Sequence, residues 1–240
     1  TIVLSQKEKN IALKYGTAKN NSLFVIPNGI NCNSINLLDK ISARKIIENK
    51  LNKSFDNQQP WIGTIANLYK TKGIGVLIQA AAQLINNKQT PYFFVIGEGP
   101  ERANLETLIK KLNLSNYFYL IGTIKNASQL LKAFDIFVLP SLKEGLPFAL
   151  LEASCANLPL IASDAGAMPE IIQNEENGLV IPYGNSIKFA EAISRILNNT
   201  SLYAKIKNNS QIISQRFSLN KTIKETKKIY SQFFRRADVK

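Results

Sequence analysis

Between residues 61 and 198, short β-branched and aromatic runs alternate with stretches whose apolar positions recur at helical spacing. WIGTIA (61–66) precedes IGVLIQAAAQLINN (74–87), where Ile74, Leu77, Ile78, Ala81 and Ile85 share one helical face. YFFVI (92–96) precedes a helix over about 100–112, and YFYLI (117–121) precedes a short helix near 126–133. DIFVLP (135–140) leads into an apolar helix over 147–156, PLIAS (159–163) into a helical turn near 168–173, and GLVIP (178–182) into a helix over about 186–198. The strand runs are continuously apolar rather than two-sided, as in parallel sheets covered by helices on both faces. The pattern predicts an α/β protein with a doubly wound, parallel, six-stranded sheet, whose ligands sit beyond the carboxyl ends of the strands.

The flanks read differently. Residues 1–50 give a strand, a helix over about 5–15, the strand SLFVIP and the turn Pro27-Asn28-Gly29, followed by a linker. Residues 199–236 give two helices with little between them. The expected division is therefore 1–50, a sheet domain over 51–215, and a C-terminal helix over 216–240.

Composition adds constraints. With 240 residues, 45% of them hydrophobic and 20% charged, the chain has ample core for a soluble globular protein. No apolar run approaches the roughly 20 residues that span a bilayer. The start TIVLSQKEKN has neither an initiator Met nor a signal-peptide layout, and reads as a fragment or trimmed chain. Cys32 and Cys155 lie far apart without metal spacing, so a reduced, cytoplasmic protein without a metal site is expected. Histidine is absent, which excludes His-based general base catalysis and His-ligated metals within these 240 residues.

The formal charge of +13 sits at the ends. Residues 1–53 carry nine basic and three acidic groups, residues 205–240 ten and two, and the middle eleven and twelve. Basic ends attract an anionic membrane surface or an acidic partner, or simply solvate a Lys-rich surface. The neutral middle and the lack of stacking motifs argue against nucleic acid.

Candidate chemistry gathers where strands end. Lys72-Gly73 stands just before a helix start, a natural place for phosphate. Gly97-Glu98-Gly99-Pro100 follows the second strand, with Pro100 able to open a helix, and Gly122-Thr123-Ile124 follows the third. After the fourth strand come Glu144 and Glu152, bracketing EGLPFALLE. Ser141 and Glu144 match a capping box, but Pro147 as first helical residue puts Glu144 outside the helix and aims the amides of Phe148 and Ala149 at the cleft. Glu152 is a lone carboxylate among apolar and small residues, costly to bury unless hydrogen-bonded. It is either a satisfied core carboxylate or an acceptor for two ribose hydroxyls. Gly166 and Glu170 stand near a further helix start, where a first-turn Glu also suits the helix dipole.

The order VIPNGIN, ANLYKTKG, GEGP, DIFVLPSLKEGLPFALLEA, DAGAMPEII, NGLVIP resembles the C-terminal half of retaining GT-B glycosyltransferases, specifically the E-x7-E family of glycogen, sucrose and lipopolysaccharide synthases. The resemblance covers about residues 1–200. It implies a Rossmann-like domain, one half of a GT-B fold, that binds a UDP- or GDP-sugar as substrate, needs no cofactor, and serves retaining hexose transfer to a glycan or lipid-linked acceptor. On that resemblance Lys72 pairs with the diphosphate, Glu144 lies near the donor sugar and Glu152 on the ribose. Gly145, Leu146 and Phe148 form the loop approaching sugar and phosphate, while Gly97, Gly122 and Ile124 lie along the nucleotide. Lys72 and Glu144 are the expected catalytic pair, and no metal is expected.

Departures matter. The family's G-R-L is here Ala66-Asn67-Leu68, so Asn67 stands where an arginine also reaches the diphosphate. The loop often reads E-G-F-G, and here reads Glu144-Gly145-Leu146-Pro147, which removes one amide donor. Asn157 replaces a common Gly. Residues 1–30 match only the last strand–helix–strand of the family's acceptor-binding domain, so a missing N-terminal domain or partner chain is expected to complete the active site. A binding-only or decayed donor domain, inactive without a separate acceptor-binding chain, is the alternative. The C-terminal helix, with Lys221, Lys224, Lys227, Lys228, Arg235 and Arg236, is expected to pack on that domain or touch acidic lipid, which places the protein peripherally at the inner membrane face. A dinucleotide-dependent dehydrogenase is disfavoured, because no G-x-G-x-x-G follows the first strand.

Overall fold

The computed structural model describes residues 1–237, with side chains to residue 232. In chain order the elements are β1 (Ile2–Val3), α1 (Gln6–Lys14), β2 (Phe24–Val25), α2 (Lys40–Leu51), β3 (Trp61–Ile65) and α3 (Ile74–Asn86). There follow β4 (Tyr92–Ile96), α4 (Arg102–Lys111), β5 (Phe118–Gly122), the 3-10 stretch Ala127–Ala133, β6 (Ile136–Leu139) and α5 (Phe148–Cys155). Last come β7 (Leu160–Ser163), α6 (Met168–Ile171), β8 (Leu179–Ile181), α7 (Ser186–Asn198), α8 (Thr200–Arg216) and α9 (Leu219–Ala237).

The six strands β3–β8 form one parallel sheet in the order β5-β4-β3-β6-β7-β8, the doubly wound arrangement that the alternating pattern predicts. Alternate side chains feed two cores. Trp61, Phe94, Phe137 and Leu139 face α2, the 3-10 stretch, α5 and α6, whereas Ile62, Phe93, Ile136 and Val138 face α3, α4 and α7. Because both faces are covered, no strand position needs to be polar. β1 and β2 pair in parallel as a separate two-stranded unit.

Some boundaries shift. The short helix near 126–133 is a 3-10 turn, Pro100 precedes α4 by two residues, and Pro147 with ψ 122° caps α5 instead of opening it. The sequence reading placed a linker over the segment that forms α2. Asp39 caps it by accepting from the amides of Ile41 and Ser42, and Asn52 ends it in the left-handed conformation. α2 packs its fully buried Ala43 and Ile47 against the sheet's core. Its Arg44, buried, donates to Asp135 at 2.8 Å, where Lys40 at 2.6 Å and the Trp61 amide at 2.8 Å also converge. Removing Asp135 would leave that buried guanidinium with only the Ala133 and Asn57 carbonyls and no opposite charge, a kind of change that typically costs about 3–5 kcal/mol.

The expectation of two separate, reduced cysteines is corrected: Cys32 and Cys155 form a disulfide, with Cα atoms 5.4 Å apart. Their 123-residue separation in sequence hid the fact that the segment after the Pro27-Asn28-Gly29 turn runs past the end of α5. No helix among the described residues is long and apolar enough to cross a membrane. Along α9, Leu219, Ile223 and Tyr230 are exposed, as are Lys221, Lys224, Lys227 and Lys228. Arg235 and Arg236 lie outside the residues whose side chains are described.

Candidate functional site

β3 and β6 lie side by side, yet the chain leaves β3 towards one edge of the sheet and β6 towards the other. Such a switch point opens a crevice at the carboxyl ends of the strands. Lys72 follows β3 and Glu144 follows β6, so the topology alone delivers both to that crevice.

Their approach is built from backbone contacts. Gly73 caps α3 at φ +66°, and a side chain there would strike the Pro140 carbonyl at the end of β6. The Thr71 carbonyl accepts the amides of Leu142 (2.7 Å) and Lys143 (3.3 Å), tying the two strand ends together. Lys72 Nζ then donates to Glu144 Oε1 at 2.6 Å, and Ser141 Oγ donates to the same oxygen at 2.8 Å. Ser141 therefore orients the carboxylate directly, and the capping-box alternative does not form. The Glu144 side chain is only 10% exposed and that of Lys72 27%. Next door, Ser163 Oγ fixes the Ser141 carbonyl and the Ala167 amide donates to the Gly145 carbonyl at 3.1 Å. Gly166, at φ +57°, lies flush against the Glu144 carbonyl, where any β-carbon would collide.

Asn28 adds a contact that its position in a turn did not reveal. Its Nδ2 donates to the Leu146 carbonyl at 3.2 Å, while Thr222 of α9 donates to the Pro27 carbonyl at 3.0 Å. The turn thus links the loop after β6 to the C-terminal helix.

A cavity of about 310 Å³ opens beside Lys72, lined also by Asn67, Gly97, Thr123 and Ile124. Four of the sequence-derived site residues therefore share one space. Gly97, at φ +150°, presses on the Ala66 carbonyl, and its amide donates to the Gly122 carbonyl at 3.0 Å, placing Gly122 directly behind it. Glu144 reaches the cavity's edge through Lys72. Gly145 and Leu146 follow it, but the Leu146 side chain is buried in the core, so only its backbone can face a ligand. The loop turns inward there, and Leu146 packs in the core with Leu150 and Leu151 of α5. Phe148, at the start of α5, is half exposed.

Glu152 occupies the second turn of α5 between Leu151 and Ala153, both buried. Its carboxylate has no hydrogen bond or ion pair among the described residues. Burial accordingly pushes it above the usual carboxylate range. A half-buried acceptor without a protein donor is suited to hydroxyl donors from a ligand.

Residues 45–212 match the family model for glycosyl transferases group 1, which is more than half of the chain. The chain belongs to this family. Among curated relatives, this group 1 chain is 28% identical over 95% of its length to the UDP-Gal:alpha-D-GlcNAc-diphosphoundecaprenol alpha-1,3-galactosyltransferase of Escherichia coli, covering 59% of that protein. It is 32% identical to putative glycosyltransferase EpsD of Bacillus subtilis, over 70% of this chain and 44% of the other. The group 1 chain thus spans about half the length of the curated relatives it matches. Among solved structures, Anabaena HepE in complex with UDP-glucose superposes with a TM-score of 0.85 at 25% identity, covering 96% of this chain and 63% of HepE. The fold of the chain is the α/β architecture of GT-B enzymes, consistent with their C-terminal half.

Proposed function

We propose that this chain binds a nucleoside-diphosphate sugar in the crevice between the ends of β3 and β6 and serves retaining hexose transfer. The observation that carries the reading is the Lys72–Glu144 pair on the wall of the cavity lined by Asn67, Gly97 and Ile124. The lysine's charge is held by Glu144, whose Oε1 also accepts from Ser141 Oγ. A diphosphate entering beside Lys72 competes for that ammonium and frees the glutamate for a sugar hydroxyl. Asn67, in the position where the family carries arginine, contributes an uncharged amide, so Lys72 is the fixed cation on that side. The unpartnered carboxylate of Glu152 takes the ribose hydroxyls.

In the proposed reaction an acceptor hydroxyl attacks the anomeric carbon from the face the diphosphate leaves. The carbon–oxygen bond to phosphate breaks as the new glycosidic bond forms. The acceptor proton passes to the departing phosphate oxygen, whose charge Lys72 stabilises. The acceptor is held by a separate domain or chain. The E. coli relative's name, with its UDP-sugar donor and diphosphoundecaprenol-linked acceptor, supports a UDP-sugar and a lipid-linked acceptor here. It also supports a peripheral position at the inner membrane face, to which the exposed lysines of α9 contribute attraction.

Isothermal calorimetry of the chain with UDP, GDP and ADP tests the reading. Saturable 1:1 binding of one nucleoside diphosphate, weakened on replacing Lys72, is the expected outcome. Failure of all three to bind overturns it.

A further inference from the structure

We propose that Glu8 is a further sugar-contacting residue of the donor site, and that Glu170 is the positioning residue that holds it there. The proposal rests on the nucleotide-sugar reading above.

The N-terminus of α1 is fixed by side chains. Both oxygens of Glu170 accept from it: the Gln6 amide at 2.9 Å and the Lys7 amide at 2.8 Å. Ser5 Oγ accepts from the Glu8 amide at 3.1 Å. Glu170 itself sits on α6, whose last carbonyls, Glu170 and Ile171, accept from Arg216 of α8. A carboxylate spanning two helix-terminal amides is a charge-assisted contact, stronger than a neutral one. It docks α1 on the elements that carry the loop after β6, since the Ala167 amide beside α6 already holds the Gly145 carbonyl.

Glu8 is then placed with one oxygen used and one spare. Its Oε2 accepts from the Leu4 amide at 2.8 Å, and its Oε1 has no partner among the described residues. That spare oxygen faces Gly145: a β-carbon on Gly145 would lie 3.4 Å from it and 3.8 Å from Leu4 Cδ1. A carboxylate oxygen, anchored by its twin beside the residue following Glu144, accepts hydroxyl protons and repels phosphate. With the α1 amides satisfied, the local chemistry selects a neutral polyol, the sugar, over an anion. Glycine at 145 leaves room for that contact.

The test measures affinities of the parent chain and its variants, by calorimetry, for UDP-glucose, UDP-galactose and GDP-mannose and for the free nucleotides. Glu8→Ala is expected to weaken the parent's best-bound sugar nucleotide about tenfold, the scale of one hydrogen bond to a charged group, while shifting the free nucleotide less than about twofold. Glu170→Ala is expected to give the same selective loss, and the double variant no more than either single one, because Glu170 acts through Glu8. Glu8→Gln, which preserves size and the Leu4 contact, checks that lost binding is not lost folding. Equal losses for sugar nucleotide and free nucleotide, no loss, or additive losses overturn the proposal while leaving the donor site standing. A parent chain that binds no nucleotide removes the donor-site reading, and this proposal with it.

Discussion

Replacing Glu152 with glutamine separates binding from folding. The Glu152 carboxylate makes no hydrogen bond or ion pair among the described residues, so the amide breaks nothing there. It removes a charge that burial disfavours. With nucleotide bound, the carboxylate is proposed to take two ribose hydroxyls. Exchanging a charged acceptor for a neutral one weakens such contacts by about 1.5–3 kcal/mol, or roughly 10–150-fold in affinity. The two effects have opposite signs, and pH resolves them. The ordinary carboxyl value of 4.5 is raised in the folded chain, so this group's contribution to stability is present below that value and lost as pH rises through the higher folded one. Glu152→Gln does not titrate, so its stability relative to the parent should grow with pH across that window. Nucleoside diphosphate affinity of the parent should fall as the carboxylate protonates at low pH, and that of the variant should not follow it. The assays are calorimetry with the bound diphosphate and thermal melts from pH 4 to 8. A melting temperature lowered by more than about 4 °C at neutral pH, roughly 1 kcal/mol or more for a domain of this size, with affinity unchanged, would refute the reasoning.

Three further outcomes are expected. Lys72→Ala should weaken UDP binding about tenfold and leave uridine binding unchanged, read by calorimetry; equal losses for both ligands count against the phosphate assignment. Gly166→Ala forces a left-handed residue and a collision with the Glu144 carbonyl, so chemical denaturation should show a loss of about 2 kcal/mol or more, with nucleotide affinity reduced as well. Reductant should destabilise the parent by about 2–4 kcal/mol through loss of the Cys32–Cys155 link, lowering its melting temperature by roughly 4–16 °C, and should leave Cys32→Ser unaffected.

The six-stranded sheet was legible because every strand is buried on both faces, so runs such as FFVI and IFVL carry a continuous signal. The placement of Lys72 and Glu144 beside the crevice was legible because each follows a strand where the sheet's connections diverge. Their mutual ion pair was not, since it depends on the Gly73 and Thr71 contacts between two loops about 70 residues apart. α2 escaped because its apolar residues are diluted by exposed lysines, although the Asp39 cap and the Asn52 stop were present as signals. The disulfide, the Asn28 bond to Leu146 and the Glu170 grip on α1 all join segments more than 100 residues apart, and no local pattern announces such pairings.

The Thr71 carbonyl that receives two amides from the neighbouring loop has an evolutionary corollary. Because lysine and glutamate ride on segments stitched together at that one atom, neither can drift in position without dragging the other. A change in what this crevice accepts must therefore arise by exchanging side chains around a fixed pair, rather than by rerouting the chain that presents it.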